Sequence, residues 1–162
     1  MEAVAPPRRV GFSDDSRAEV KGRSMDNGCR YLFVYGTLMS GAKSALGSEE
    51  RDRLQRESDS LGPASIAHAR LYDLGSYPGA AAIGSVDDLV HGEAVLLSDP
   101  DATLAWIDAY EGVVPGNEDQ EYNRVVLQTR LAGGETFDAW VYLLARVPQR
   151  AGFIESGRWF RN

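Results

Sequence analysis

From Tyr31 onward the chain alternates short apolar runs with glycine-rich breaks, and most of those runs have the two-residue period of strands. Tyr31-Leu32-Phe33-Val34-Tyr35 is aromatic and β-branched without a polar position, which predicts a strand buried on both faces. It stops at Gly36, and Gly36-Thr37-Leu38-Met39-Ser40-Gly41 reads as a loop. Ser48, followed by Glu49, Glu50 and Arg51, marks a short helix so polar that it is expected to be mostly exposed. Alternation over Ser65–Leu74 predicts a strand, with Tyr77-Pro78-Gly79 as a turn behind it. The small residues of Gly79–Gly84 suit a strand in close contact with a neighbour, and alternation returns over His91–Leu97. The clearest helix follows. Ser98 or Asp99 caps it, Pro100 sits in its first turn, Leu104, Ile107 and Tyr110 share a face, and Gly112 stops it. Beyond an irregular acidic stretch, Val113–Glu121, the segments Tyr122–Leu131 and Thr136–Leu144 predict a hairpin about Ala132-Gly133-Gly134-Glu135. The tail from Phe153 to Trp159 is too aromatic to be left free in water, and part of it is expected to dock. Many strands with few helices predict an α+β domain on a closed or nearly closed sheet.

Residues 1–30 lack this order. Pro, Gly, Ser and charges mix there without an apolar period, so the segment buries too little to offset chain entropy. It is read as a disordered extension, with the domain in residues 31–162 and Met25 as an alternative start of translation. Over 162 residues, 24 acidic and 17 basic side chains leave a net charge of −7, the opposite sign to that of a nucleic-acid binder. Lys21 and Lys43 are the only lysines, which leaves no polybasic patch for a membrane surface. No apolar run approaches the ~20 residues of a bilayer span. One cysteine and two histidines fall short of an internal disulfide and of a zinc set. The expectation is a soluble cytoplasmic protein, a monomer or weak homodimer, with no cofactor and no nucleic-acid or membrane partner.

Several motifs compete for the chemistry. Gly36-Thr37-Leu38-Met39-Ser40-Gly41-Ala42-Lys43-Ser44 nearly spells a phosphate-binding loop, but Ala42 separates the second glycine from the lysine and rotates that lysine away. No Gly-x-Ser-x-Gly occurs, and His68 and His91 lie in strand patterns without a serine partner, which argues against a serine hydrolase. Cys29 lacks a setting that would activate its thiol. The turn Tyr35-Gly36-Thr37-Leu38, in contrast, leaves backbone amides that can hold a carboxylate or a developing oxyanion. A plain turn with its amides in water is the competing reading. Asp108 and Glu111 are three apart and so share a helical face. Glu111 falls in the last turn, where the helix dipole disfavours negative charge by about 0.3–1 kcal/mol and raises proton affinity. That suits a group which accepts and returns a proton near neutrality, and a solvated surface acid is the alternative.

Taken together, the segments Tyr31–Leu38, Ile107-Asp108-Ala109-Tyr110-Glu111-Gly112, Tyr122-Asn123-Arg124 and Ala139-Trp140-Val141-Tyr142 resemble the γ-glutamylcyclotransferase-like (AIG2-like) family. The tail Ser156-Gly157-Arg158-Trp159 is similar to the ending of its bacterial members. The resemblance implies a small mixed β-barrel with flanking helices. It implies a pocket built from Tyr35, Gly36, Thr37 and Leu38 with Glu111 as the essential acid, and with Tyr122 and Tyr142 lining or supporting it. The implied activity cyclises a γ-glutamyl amide to 5-oxoproline and frees the amine, with a small-molecule substrate and no metal or organic cofactor. The stretch Val113–Glu121 is longer and more acidic than the family pattern. A non-catalytic binding module on the same fold, or an enzyme for another acyl amide, is the rival expectation.

Overall fold

Alternation within the first aromatic run decides the architecture. Leu32 and Val34 face one way and join Leu54, Val95, Leu97, Leu104 and Ile107 in one buried cluster. Phe33 and Tyr35 face the other and pack with Ile66, Val90, Ala94, Ala139 and Val141 in a second. A strand with both faces covered needs a sheet that wraps around it, and this one belongs to a barrel.

The computed structural model describes residues 28–159 apart from Pro115. In chain order these residues form β1 (Tyr31–Val34), α1 (Ser48–Arg56), β2 (Ser58–Ala67), β3 (Arg70–Asp73), β4 (Pro78–Ala81) and β5 (Leu89–Leu97). Then follow α2 (Pro100–Glu111), β6 (Tyr122–Leu131), β7 (Thr136–Leu144) and β8 (Gly152–Ile154). Five strands close the barrel in the order β1-β5-β2-β6-β7. Its pairs are antiparallel except the closing one, where β7 runs parallel to β1 with Trp140 opposite Leu32. The remaining strands form a small antiparallel sheet, β4-β3-β8. The architecture is α+β, a small mixed barrel with flanking helices.

The strand expected over Ser65–Leu74 is two strands. β2 starts earlier, at Ser58, passes a register shift between Ser60 and Gly62, and ends at Ala67. His68 then adopts a φ of 58°, a left-handed kink that sends the chain out of the barrel into the small sheet. The turn expected at Tyr77-Pro78-Gly79 lies just before that position. Leu74 N–H closes it on the Tyr77 carbonyl, and Pro78 and Gly79 already belong to β4. The small residues there have the expected reason: a Cβ at Gly79 would lie 2.5 Å from Leu144 Cγ.

α1 is less exposed than its polarity suggests, because Leu54 and the Arg51 side chain are buried. It starts at Ser48, as expected, with Gly47 in a left-handed conformation as its cap. α2 follows expectation, with the Asp99 carboxylate accepting from Ala102 N–H, Pro100 in the first turn and left-handed Gly112 as C-cap. The tail docks through Ile154 on β3 and through His91 N–H to the Gly157 carbonyl, while Phe153 stays 47% exposed. Of the segment expected to be disordered, residues 1–27, with the alternative start at Met25, lie outside the described residues. Arg30 donates to the Leu97 and Ser98 carbonyls, and Trp140 Nε1 donates to that of Cys29.

Candidate functional site

β1 ends where a glycine is needed. A Cβ at Gly36 would lie 2.8 Å from Pro78 Cγ, so only the bare backbone lets the first loop pass under β4. Tyr35 fixes the entry to this loop. Its hydroxyl donates to the Tyr142 carbonyl at 2.7 Å and accepts from Ala80 N–H at 3.0 Å, which ties β1 to β7 and β4. Beyond it, Met39 N–H returns to the Gly36 carbonyl, and the Glu93 carboxylate takes both the amide and the hydroxyl of Ser40. The buried Arg51 guanidinium donates to the carbonyls of Thr37 and Ser44, each at 2.8 Å, and so fixes the far side of the loop. Thr37 Oγ1 meets the Tyr110 hydroxyl at 3.0 Å. The amides of Thr37 and Leu38 have no acceptor among the described residues. They are the turn's available donors.

The last turn of α2 faces this loop and treats its two acids differently. Asp108 accepts from Arg124 Nε at 2.8 Å, from Arg124 Nη2 at 3.1 Å and from the Tyr142 hydroxyl at 2.6 Å. Arg124 in turn lies over the Trp140 ring. Glu111, one turn later, has no hydrogen-bond donor among the described residues. Burial pushes its carboxyl up from the ordinary 4.5 to about 7, with the charge of Glu121 adding to the rise. The helix dipole acts in the same direction.

These elements enclose a cavity of about 230 Å³. Tyr35, Gly36, Thr37, Leu38, Glu111, Tyr122 and Tyr142, all singled out from the sequence, border it. Their parts differ. Tyr35 presents its spent hydroxyl to the wall, Tyr122 donates to the Pro78 carbonyl at 2.8 Å, and Tyr142 orients Asp108. Burial raises the proton affinity of all three hydroxyls, so they stay neutral. The cavity also reaches Tyr77, Tyr110 and Glu121, which the sequence placed in a turn, on a helix face and at the end of the acidic stretch but not in the site. Tyr77 donates its one hydroxyl proton to the Glu121 carboxylate, 3.0 Å from each oxygen. Beyond that pair lies a more open groove, to which Asp73 and Arg150 contribute. Among the described residues no group of three His, Cys, Asp or Glu could hold a metal ion. Lys43 is exposed and does not border the cavity.

The family model described as "Gamma-glutamyl cyclotransferase, AIG2-like" matches residues 32–161. The chain belongs to this family. The gamma-glutamylcyclotransferase family protein YtfP of Escherichia coli K12 is 32% identical over 128 residues, which span 79% of this chain and 94% of that protein. Its solution structure superposes with a TM-score of 0.52 at 31% identity, over 80% of this chain and 95% of that one. A mouse AIG2-like protein shares the fold at 18% identity and a TM-score of 0.59, over 78% of this chain and 86% of that one. Family members thus share the barrel, and in this chain its mouth carries the Tyr35–Leu38 loop opposite Glu111.

Proposed function

We propose that the protein cyclises a γ-glutamyl amide, releasing 5-oxoproline and a free amine. The observation that carries this reading is Glu111: a partly buried carboxyl with no donor among the described residues, poised near neutrality, across a small cavity from the loop of Thr37 and Leu38. The substrate's α-nitrogen attacks its own γ-carbonyl carbon and closes a five-membered ring. The bond from that carbon to the amide nitrogen then breaks. Glu111 takes the proton that the α-amine sheds and returns one to the departing nitrogen, so protons balance over the cycle. The loop amides hold the glutamyl carboxylate or the carbonyl oxygen as charge builds on it. Because nucleophile and electrophile belong to one molecule, folding the substrate into the reactive conformer supplies much of the acceleration. A cavity of this size suits the glutamyl group, with the amine portion leaving past Tyr77 and Glu121.

The test is release of 5-oxoproline from a panel of γ-glutamyl amides, glutathione included, with α-glutamyl amides as controls. Turnover of at least one γ-linked compound and none of the α-linked ones is expected. Binding without turnover across the panel would favour a ligand-binding module on the same barrel.

A further inference from the structure

Glu121 closes the acidic stretch before β6, and its side chain borders the same cavity as Glu111. Its placement is firm at both ends. The Glu121 carbonyl accepts from Ala145 N–H at 2.8 Å, anchoring the residue where β6 and β7 meet, and the carboxylate holds the Tyr77 hydroxyl from the β3–β4 turn. Tyr77 and Glu121 also border the open groove beyond, so the pair forms the partition between the two spaces.

The other polar groups around Glu111 are committed elsewhere or uncharged. From β1 and its loop, the Tyr35 hydroxyl is spent on Ala80 and Tyr142, and Thr37 pairs with Tyr110 of α2. From β6 and β7, the Tyr122 hydroxyl goes to Pro78, and the Tyr142 hydroxyl goes to Asp108, which Arg124 already neutralises. Arg51 of α1 spends its guanidinium on two loop carbonyls. Among the described residues no basic side chain borders the cavity and Glu121 is the one acid there besides Glu111, while Asp73 and Arg150 border the groove on the other side of Glu121.

We infer that Glu121, clamped by Tyr77 at the cavity mouth, is a positioning residue that acts on Glu111 through the charge it holds there. Glu121 is exposed at the mouth, but a like charge held next to the half-buried Glu111 still makes its proton harder to remove. Burial raises the Glu111 carboxyl most, and the Glu121 charge adds to the rise. The clamp matters because it fixes the direction of an exposed carboxylate, which without Tyr77 would swing away from the mouth and be screened over a longer distance. This inference rests on the proposed proton-shuttling role of Glu111, but the placement of its charge can be tested without substrate.

The experiment follows the Glu111 carboxyl carbon by NMR titration of the whole protein, assigned by the signal that Glu111→Gln removes. Glu121→Gln is expected to lower the Glu111 midpoint by about one pH unit. Tyr77→Phe, which keeps the charge but frees it, should move the midpoint the same way by less. Glu118→Gln, an equal loss of charge at a residue that does not border the cavity, should leave it in place. With a substrate from the panel, the acid limb of kcat/KM should shift with the same midpoints. An unmoved midpoint in Glu121→Gln, or an equal shift in Glu118→Gln, would overturn the inference. Should Glu121→Gln fail to fold, an unmoved midpoint in Tyr77→Phe would overturn it. If no γ-glutamyl amide is turned over, the proposed activity fails, while the titration still decides the role of Glu121.

Discussion

The two ends of α2 each meet a glutamate, and they treat it in opposite ways. Near the N-terminal half, Glu57 accepts from Thr103 Oγ1 at 2.6 Å, Trp106 Nε1 at 2.9 Å and Arg53 Nε at 2.9 Å. Burial pulls its carboxyl up, but these donors outweigh that and hold it at about 2. At the C-terminal end Glu111 is half-buried with no donor among the described residues, and it rises to about 7. Donors, more than burial alone, decide which way a carboxylate goes. The first glutamate is a staple between α1 and α2, committed to its charge. The second keeps both protonation states within reach, which is what a proton shuttle needs.

Mutation should separate the two ends. Glu57→Ala leaves the Thr103 hydroxyl and the Trp106 indole N–H without their acceptor in a partly solvated junction. It is expected to cost about 1–2 kcal/mol in chemical denaturation, with turnover unchanged. An equal loss of turnover would show that the staple and the site are one unit. Tyr142→Phe acts at the other end, removing one donor to Asp108 while Arg124 keeps its two bonds. The last turn of α2 then loosens, and kcat/KM should fall by roughly tenfold, the worth of about one hydrogen bond.

A smaller effect is the pH dependence of stability. Glu57 titrates lower in the folded chain than its ordinary 4.5, so its contribution is present above that value and is lost as pH falls towards about 2. Glu111 titrates higher, so its contribution is complete below about 4.5 and is lost as pH rises through about 7. Stability from these two groups therefore peaks between the windows. Urea melts of Glu57→Gln should lose the acid-side slope and those of Glu111→Gln the neutral-side slope. Identical slopes in both variants would erase the contrast between the helix ends.

Much of the barrel was legible in the sequence because strand period, turn glycines and helix caps are local signals. β1, α2 and the β6–β7 hairpin all announce themselves within ten or so residues of text. The break at His68 was not legible, since a left-handed histidine carries no mark distinguishing it from one in a strand. Within the site, Glu111 was visible from its place at a helix end beside a glycine stop. Which of Asp108 and Glu111 would stay free was not, because the deciding partners, Arg124 and Tyr142, lie 16 and 34 residues away from Asp108. Arg51 was hidden likewise: in a polar helix nothing distinguishes the one arginine that turns inward to hold a loop.

The central claim is that Glu111 works through its proton, and Glu111→Gln tests it most directly. Glutamine keeps the size and most of the packing, removes the ionisable group, and relieves the unfavourable charge at the helix end. 5-Oxoproline release, substrate binding and thermal unfolding should be measured together on the compound that the panel identifies. The account predicts a folded protein at least as stable as the parent, which binds the substrate and turns it over about 10²–10⁴-fold more slowly. Turnover close to that of the parent protein would contradict it.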